Sequence, residues 1–141
     1  MAWEGVMGKI NWGRVFLCGV LTGVVLFLLP LPVYIFTRVG TDLMAAVEAA
    51  GRPRFPALPF LLYIAVGIWT MWLYAAIRPR YGPGPKTAAV AGLAMWVLGA
   101  LVDALWVPLT PLGFGAVAVP VAVKLPASIV AAVVGAWPYK E

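Results

Sequence analysis

The chain has 141 residues, of which 64% are hydrophobic and 11% charged, whereas about a quarter of residues are charged in a typical globular domain. Such a composition excludes an ordinary water-soluble fold. Ten basic and five acidic residues give a net charge of +5, but the basic side chains flank apolar runs singly or in one short loop, so anionic lipid rather than nucleic acid is the expected partner.

A hydrocarbon layer about 30 Å thick needs about 20 apolar helical residues to cross it. Four runs of that size occur, near 15–36, 57–77, 88–108 and 117–138. They predict an all-α, antiparallel bundle of four transmembrane helices, and nothing outside them is long enough to bury a second core. Residues 1–141 therefore read as one integral membrane domain.

Ahead of the first run, Trp3, Glu4, Lys9, Trp12 and Arg14 make the aromatic and basic mixture of a membrane interface. The run continues through Leu28, Leu29, Pro30, Leu31 and Pro32 without a small-residue cleavage site, so it reads as a retained span. Gly19 and Gly23, with Cys18 and Thr22 beside them, form a ridge that lets a neighbouring helix come close. Cys18 itself, the single cysteine, reads as a small hydrophobe.

Thr41 is placed to cap a short extra-membrane helix from Asp42 to Ala50, stopped by Gly51 and Pro53, with Leu43, Met44 and Val47 on one side. The second span opens at Pro56 and Pro59. It is expected to end near Ile77, because a residue that precedes proline, here Arg78 before Pro79, avoids the α region. Tyr63, Gly67, Thr70 and Tyr74 share one face of it, and Trp69 and Trp72 lie away from that face. The short turn from Arg80 to Lys86 makes spans two and three antiparallel neighbours. Arg78, Arg80 and Lys86 are set to meet lipid phosphates at about 1 kcal/mol each. A phosphate-binding loop is excluded there, since no glycine directly precedes Lys86 and Pro83 and Pro85 remove amide donors.

In the third span, Gly92, Trp96, Gly99, Asp103 and Trp106 recur at steps of four and three, which collects them on one face. The fourth carries Ala127, Ala131 and Gly135 on one ridge and Ser128, Ala132 and Ala136 on the next. Two readings of these faces stand side by side. In one they meet inside the bundle and make its core. In the other an aromatic surface, drawn from Trp69, Trp72, Trp96 and Trp106, is a shelf for another protein, a lipid or a pigment such as a carotenoid.

Asp103 and Lys124 are the two charged residues within the runs. An isolated charge at the centre of a membrane helix costs about 2.5 to 3.5 kcal/mol, so each should have a partner. Asp103 lies five residues before Pro108, about 7.5 Å inside the boundary at 1.5 Å per residue, and Lys124 falls at a similar depth on the next span. An intramembrane ion pair is expected. It serves to fix helix register or, alternatively, to make Asp103 a proton or cation site tuned by Lys124; in a further reading Lys124 snorkels and its amine reaches the outer headgroups. Pro120 and Pro126 also leave carbonyls without amide donors near the Lys124 amine.

Histidine is absent, which removes the usual ligand for haem, chlorophyll magnesium or zinc and the commonest general base. A lone cysteine excludes a C-x-x-C redox pair, and Asp103 has no second carboxylate for acid and base work. The expectation is a protein that is not an enzyme and has no metal site.

The segment Trp72-Leu73-Tyr74-Ala75-Ala76-Ile77-Arg78-Pro79-Arg80-Tyr81-Gly82-Pro83-Gly84-Pro85-Lys86-Thr87-Ala88 resembles the central segment of a group of short bacterial four-span membrane proteins without an assigned activity. Further matches are Asn11-Trp12-Gly13-Arg14, Gly51-Arg52-Pro53, Gly92-Leu93-Ala94-Met95-Trp96 and the ending Gly135-Ala136-Trp137-Pro138-Tyr139-Lys140-Glu141. The resemblance implies a bacterial inner-membrane protein. Members of the group often place an acidic or amide residue in the first and fourth spans; this chain has none from Leu26 to Pro32 and carries Lys124 in the fourth.

The leading expectation is an accessory or scaffold subunit of a larger membrane complex, respiratory or photosynthetic, that packs against other integral membrane subunits and holds lipid or pigment. The alternative is a small four-span transporter or channel using Asp103. Basic residues flanking spans are retained in the cytoplasm; Lys9, Arg14, Arg78, Arg80, Lys86 and Lys140 fall on one side and only Arg38, Arg52 and Arg54 on the other. Both termini are then cytoplasmic. A fluorescent protein fused after Glu141 should fluoresce and alkaline phosphatase at the same position should be inactive; the opposite pair of results reverses the orientation.

Overall fold

The structure is a computed structural model that describes residues 10–36, 57–105 and 114–139, together with Asp42, Ala45, Glu48, Ala49 and Gly51. No strand occurs among them, and four helical stretches are long and apolar enough to cross a membrane. The protein is an all-α, multi-pass membrane protein with the four-helix bundle expected from the hydropathy pattern.

The first span joins α1 (Trp12–Leu28) and α2 (Leu31–Phe36). Asn11 caps α1, its side-chain oxygen accepting from the Arg14 amide at 3.2 Å and satisfying a donor left over at the helix start. Pro30 has no amide with which to continue the ladder. Helical bonding resumes at once, with Tyr34 N–H donating to the Pro30 carbonyl at 3.2 Å.

The second span, α3 (Ala57–Tyr81), continues past the expected end at Ile77 and through Pro79. Proline in a final turn forfeits one hydrogen bond without obliging any later residue to leave the helix. The stop falls instead at Gly82, whose φ of 82° is left-handed and whose N–H donates to the Arg78 carbonyl at 2.8 Å. The third span, α4 (Pro85–Leu105), starts earlier than residue 88 because proline is well suited to the first helical position. Thr87 ties the hairpin together, its hydroxyl donating to the Gly82 carbonyl at 2.7 Å, and Gly84 N–H donates to the Tyr74 hydroxyl at 3.3 Å. The fourth span lies within α5 (Phe114–Ala136), with Pro120 and Pro126 inside it.

Of the short extra-membrane helix, Asp42, Ala45, Glu48 and Ala49 are helical and exposed. The rest of it lies outside the described residues, as do Trp3, Glu4, Lys9, Arg38, Arg52, Arg54, Trp106 and Lys140.

The helices form a ring in the order α1, α3, α4, α5, with α5 closing back on α1. In lipid no hydrophobic drive pulls helices together, so close packing depends on small residues. Gly19, Gly23 and Gly67 provide it where α1 crosses α3. A Cβ on Gly19 would lie 2.5 Å from the Ile68 Cα, and one on Gly23 2.5 Å from the Ile64 Cα. One on Gly67 would overlap the Gly19 carbonyl oxygen and the Gly23 amide. The two ridges of α5 serve two neighbours. Gly135 rests on Thr22 and Cys18 of α1, while Ser128 and Ala132 rest on Gly92 of α4. Ala127 and Ala131 are buried in the same helix.

The packing is unequal along the bundle axis. The main buried cluster includes Val15, Cys18, Met71, Tyr74, Ala88 and Tyr139, all toward the end where α3 turns into α4. Toward the other end, no described residue of α3 before Gly67, of α4 after Gly92 or of α5 before Ala127 is fully buried. Among the described residues the first end is the more closely packed, the closed end of the bundle, and the second, where Leu26 and Pro30 of the first span are still buried, is the looser, open end.

The glycine crossing makes a prediction. Gly67→Ala should lower thermal stability in detergent by about 1 to 3 kcal/mol through overpacking, despite a helix-propensity gain of about 1 kcal/mol. Gly99→Ala, with no atom within 4 Å of the new Cβ, should be neutral or stabilising. Equal effects at the two sites would contradict the crossing.

Candidate functional site

The open end contains the two charged residues of the apolar spans. Lys124 Nζ on α5 lies 2.8 Å from Asp103 Oδ2 on α4. The two side chains keep 34% and 31% of their surface exposed. The phenols of Tyr34, on α2, and Tyr63, on α3, are within electrostatic reach of the pair, and both residues are half-buried. Each of the four spans thus places one ionisable residue in this part of the bundle. Tyr63 was legible in the sequence only as part of a helix face. Tyr34 was missed, although its depth, two residues from the end of the first span, was a usable signal.

The α4 stripe explains how Asp103 reaches Lys124. Gly92 begins it, where a Cβ would lie 2.6 Å from the Ser128 carbonyl oxygen. Next, Trp96 Nε1 donates to the Val121 carbonyl at 2.8 Å, and Asp103 follows two turns on. Trp96 therefore points into the α4 and α5 seam and is not part of an outward shelf, because its indole N–H finds an acceptor there. Gly99 needs a second correction. It lies on the same stripe but makes no packing contact: it is exposed, and a Cβ added to it would have no atom within 4 Å. Trp96 before it and the long Lys124 side chain beyond it bridge the two helices, and the space beside Gly99 is open. A notch remains between them.

Trp69 and Trp72 pack edge to face, with ring centroids 4.8 Å apart. With Trp12, Ala65 and Ile68 they line a groove of about 450 Å³. Trp69 is 59% exposed near the middle of α3, far from the interfacial positions where tryptophan is usually enriched.

At the closed end, Arg80 and Lys86 are exposed, as suits contact with lipid headgroups. Arg78 differs from that expectation, since its guanidinium carbon sits 5.5 Å from the centre of the Tyr139 ring, a cation–π contact. The chain after α5 turns back to make this contact possible. Tyr139 is buried and packs edge-on against Tyr74 at 5.7 Å, and Arg14 donates to the Pro138 carbonyl at 3.5 Å.

Among the described residues no group of histidine, cysteine or acidic side chains is arranged to hold a metal ion. No family model, curated protein or solved structure matches the chain.

The pair can be tested by a double-mutant cycle. Asp103→Leu or Lys124→Leu alone leaves a lone charge and should cost about 2 kcal/mol, a figure set below the 3 to 5 kcal/mol of a fully buried pair because both groups are partly exposed. The double variant should recover most of that loss. Additive losses in thermal unfolding would mean that the two charges are not coupled.

Proposed function

We propose that this protein is a non-enzymatic accessory or scaffold subunit that docks on a larger membrane complex. We place it with the short bacterial four-span proteins it resembles, in the inner membrane with both termini cytoplasmic. The observation that carries the reading is the outer surface of α4. Leu93, Val97, Leu101 and Leu105 are all exposed and recur every four residues, forming a continuous ridge of the kind that fits the groove of another helix. Lipid alone would be satisfied by any apolar surface. The Asp103 and Lys124 pair supports the same reading, because two neutralised charges lock α4 to α5 and hold that ridge in a fixed orientation. A respiratory or photosynthetic complex is the host class, and the groove at Trp69 and Trp72 suits a lipid chain or a carotenoid.

A photo-crosslinker placed at Leu101 should capture a distinct integral membrane protein when the chain is expressed in its native host and purified in mild detergent. The same probe at Phe16, exposed on α1, should capture none. Recovery of only a monomer or homodimer from both positions would sink the scaffold reading.

A second reading, a small transporter or channel, is favoured by the partial exposure of Asp103 at the open end. In that case Asp103→Asn abolishes substrate flux in vesicles while the protein still inserts.

A further inference from the structure

We infer that the open end of the bundle binds the headgroup of a zwitterionic phospholipid, one in which a phosphate ester is joined to a primary ammonium. The cluster of Tyr34, Tyr63, Asp103 and Lys124 supplies the recognition, and the inference is independent of any partner subunit.

Among the described residues the ion pair leaves hydrogen-bonding capacity unused. Asp103 uses Oδ2 alone, and the Lys124 ammonium uses one of its three donors on that oxygen. Among the described residues none bonds to Asp103 Oδ1 or to the remaining two donors. About a third of each side chain is exposed, at a depth where contact with hydrocarbon would be costly. Whatever meets these groups must therefore be polar, and must present an acceptor to Lys124 and a donor to Asp103 within one headgroup.

Phosphate joined to a primary ammonium meets both demands. A phosphate oxygen accepts from Lys124 Nζ, the ammonium donates to Asp103 Oδ1, and the phenols of Tyr34 and Tyr63 can donate to the remaining phosphate oxygens. The four charges then alternate in sign, so that each has an opposite neighbour on two sides. An anionic lipid with a hydroxylated headgroup satisfies Lys124 but sets a second negative charge beside Asp103, and selectivity arises from that repulsion.

The fold also provides an entrance. Gly99 lies one turn before Asp103 on the same face of α4, and its surroundings are open to 4 Å. A headgroup can approach laterally through this notch, with its acyl chains lying on the exposed Leu98 and Val102.

The test uses the full-length protein in mild detergent, offered equal amounts of phosphatidylethanolamine and phosphatidylglycerol and examined by native mass spectrometry. Phosphatidylethanolamine should be retained about tenfold more, a difference of about 1.4 kcal/mol. Gly99→Leu closes the notch without touching a charge, and should lower that retention about tenfold with thermal unfolding unchanged. Asp103→Leu combined with Lys124→Leu removes both charges together, so it is expected to fold and to lose the preference. Equal retention of the two lipids, or a Gly99→Leu variant that binds like the parent, overturns the proposal. Displacement of the lipid by soluble glycerophosphoethanolamine at equal concentration also overturns it, by assigning the site to a soluble compound with the same headgroup chemistry.

Discussion

The crossing of α1 over α3 is the contact on which the rest of the bundle depends. Three glycines bring two backbones together in a solvent that offers no hydrophobic drive for helix association, so the attraction is dispersion and local dipole contact at short range. Once that crossing is set, Thr22 and Cys18 on the neighbouring face of α1 meet Gly135 of α5. The Thr22 hydroxyl donates to the Cys18 carbonyl at 2.8 Å, so a polar group enters this tight seam already satisfied.

From this contact the bundle closes in one direction and opens in the other. Small residues continue along α5 toward its end, and Tyr139 turns back under the helices to cover them, held by the Tyr74 ring and the Arg78 guanidinium. In the opposite direction the residues grow larger or polar. Phe27 meets Phe60 and Tyr63 edge to face at 5.2 and 5.8 Å, Trp96 spans the α4 and α5 seam, and Lys124 reaches across to Asp103. Two prolines in α5 remove amide donors along this stretch. The open end is thus a consequence of side-chain size and helix chemistry, and it holds the Asp103 and Lys124 pair.

This arrangement lets one small bundle present different surfaces. The packed end is basic at its rim, where Arg80 and Lys86 lie exposed. The exposed apolar ridge of α4 runs beside the open end, so Asp103 and the ridge occupy different faces of the same helix. Asp103 belongs to the polar cluster itself and serves the ridge only indirectly, by anchoring α4 to α5.

Hydropathy was sufficient to read four spans, because crossing a bilayer imposes a length and an apolar composition on each helix whatever its neighbours are. Helical period likewise placed Gly19 with Gly23, and Asp103 with Trp96, since residues three and four apart share a face in any α-helix. Depth made the Asp103 and Lys124 pairing an expectation. Tertiary structure alone decided which faces meet and how closely. Gly99 has the same spacing as Gly92 yet faces open space, because its surroundings depend on where α5 lies and not on its own helix. Arg78 turned from the headgroups to Tyr139, and Trp96 inward to Val121, for the same reason: the acceptor or ring that each one contacts lies on another helix or beyond its end. The convergence of Tyr34 and Tyr63 on the ion pair is of this kind, a property of four helices in register that no single span contains.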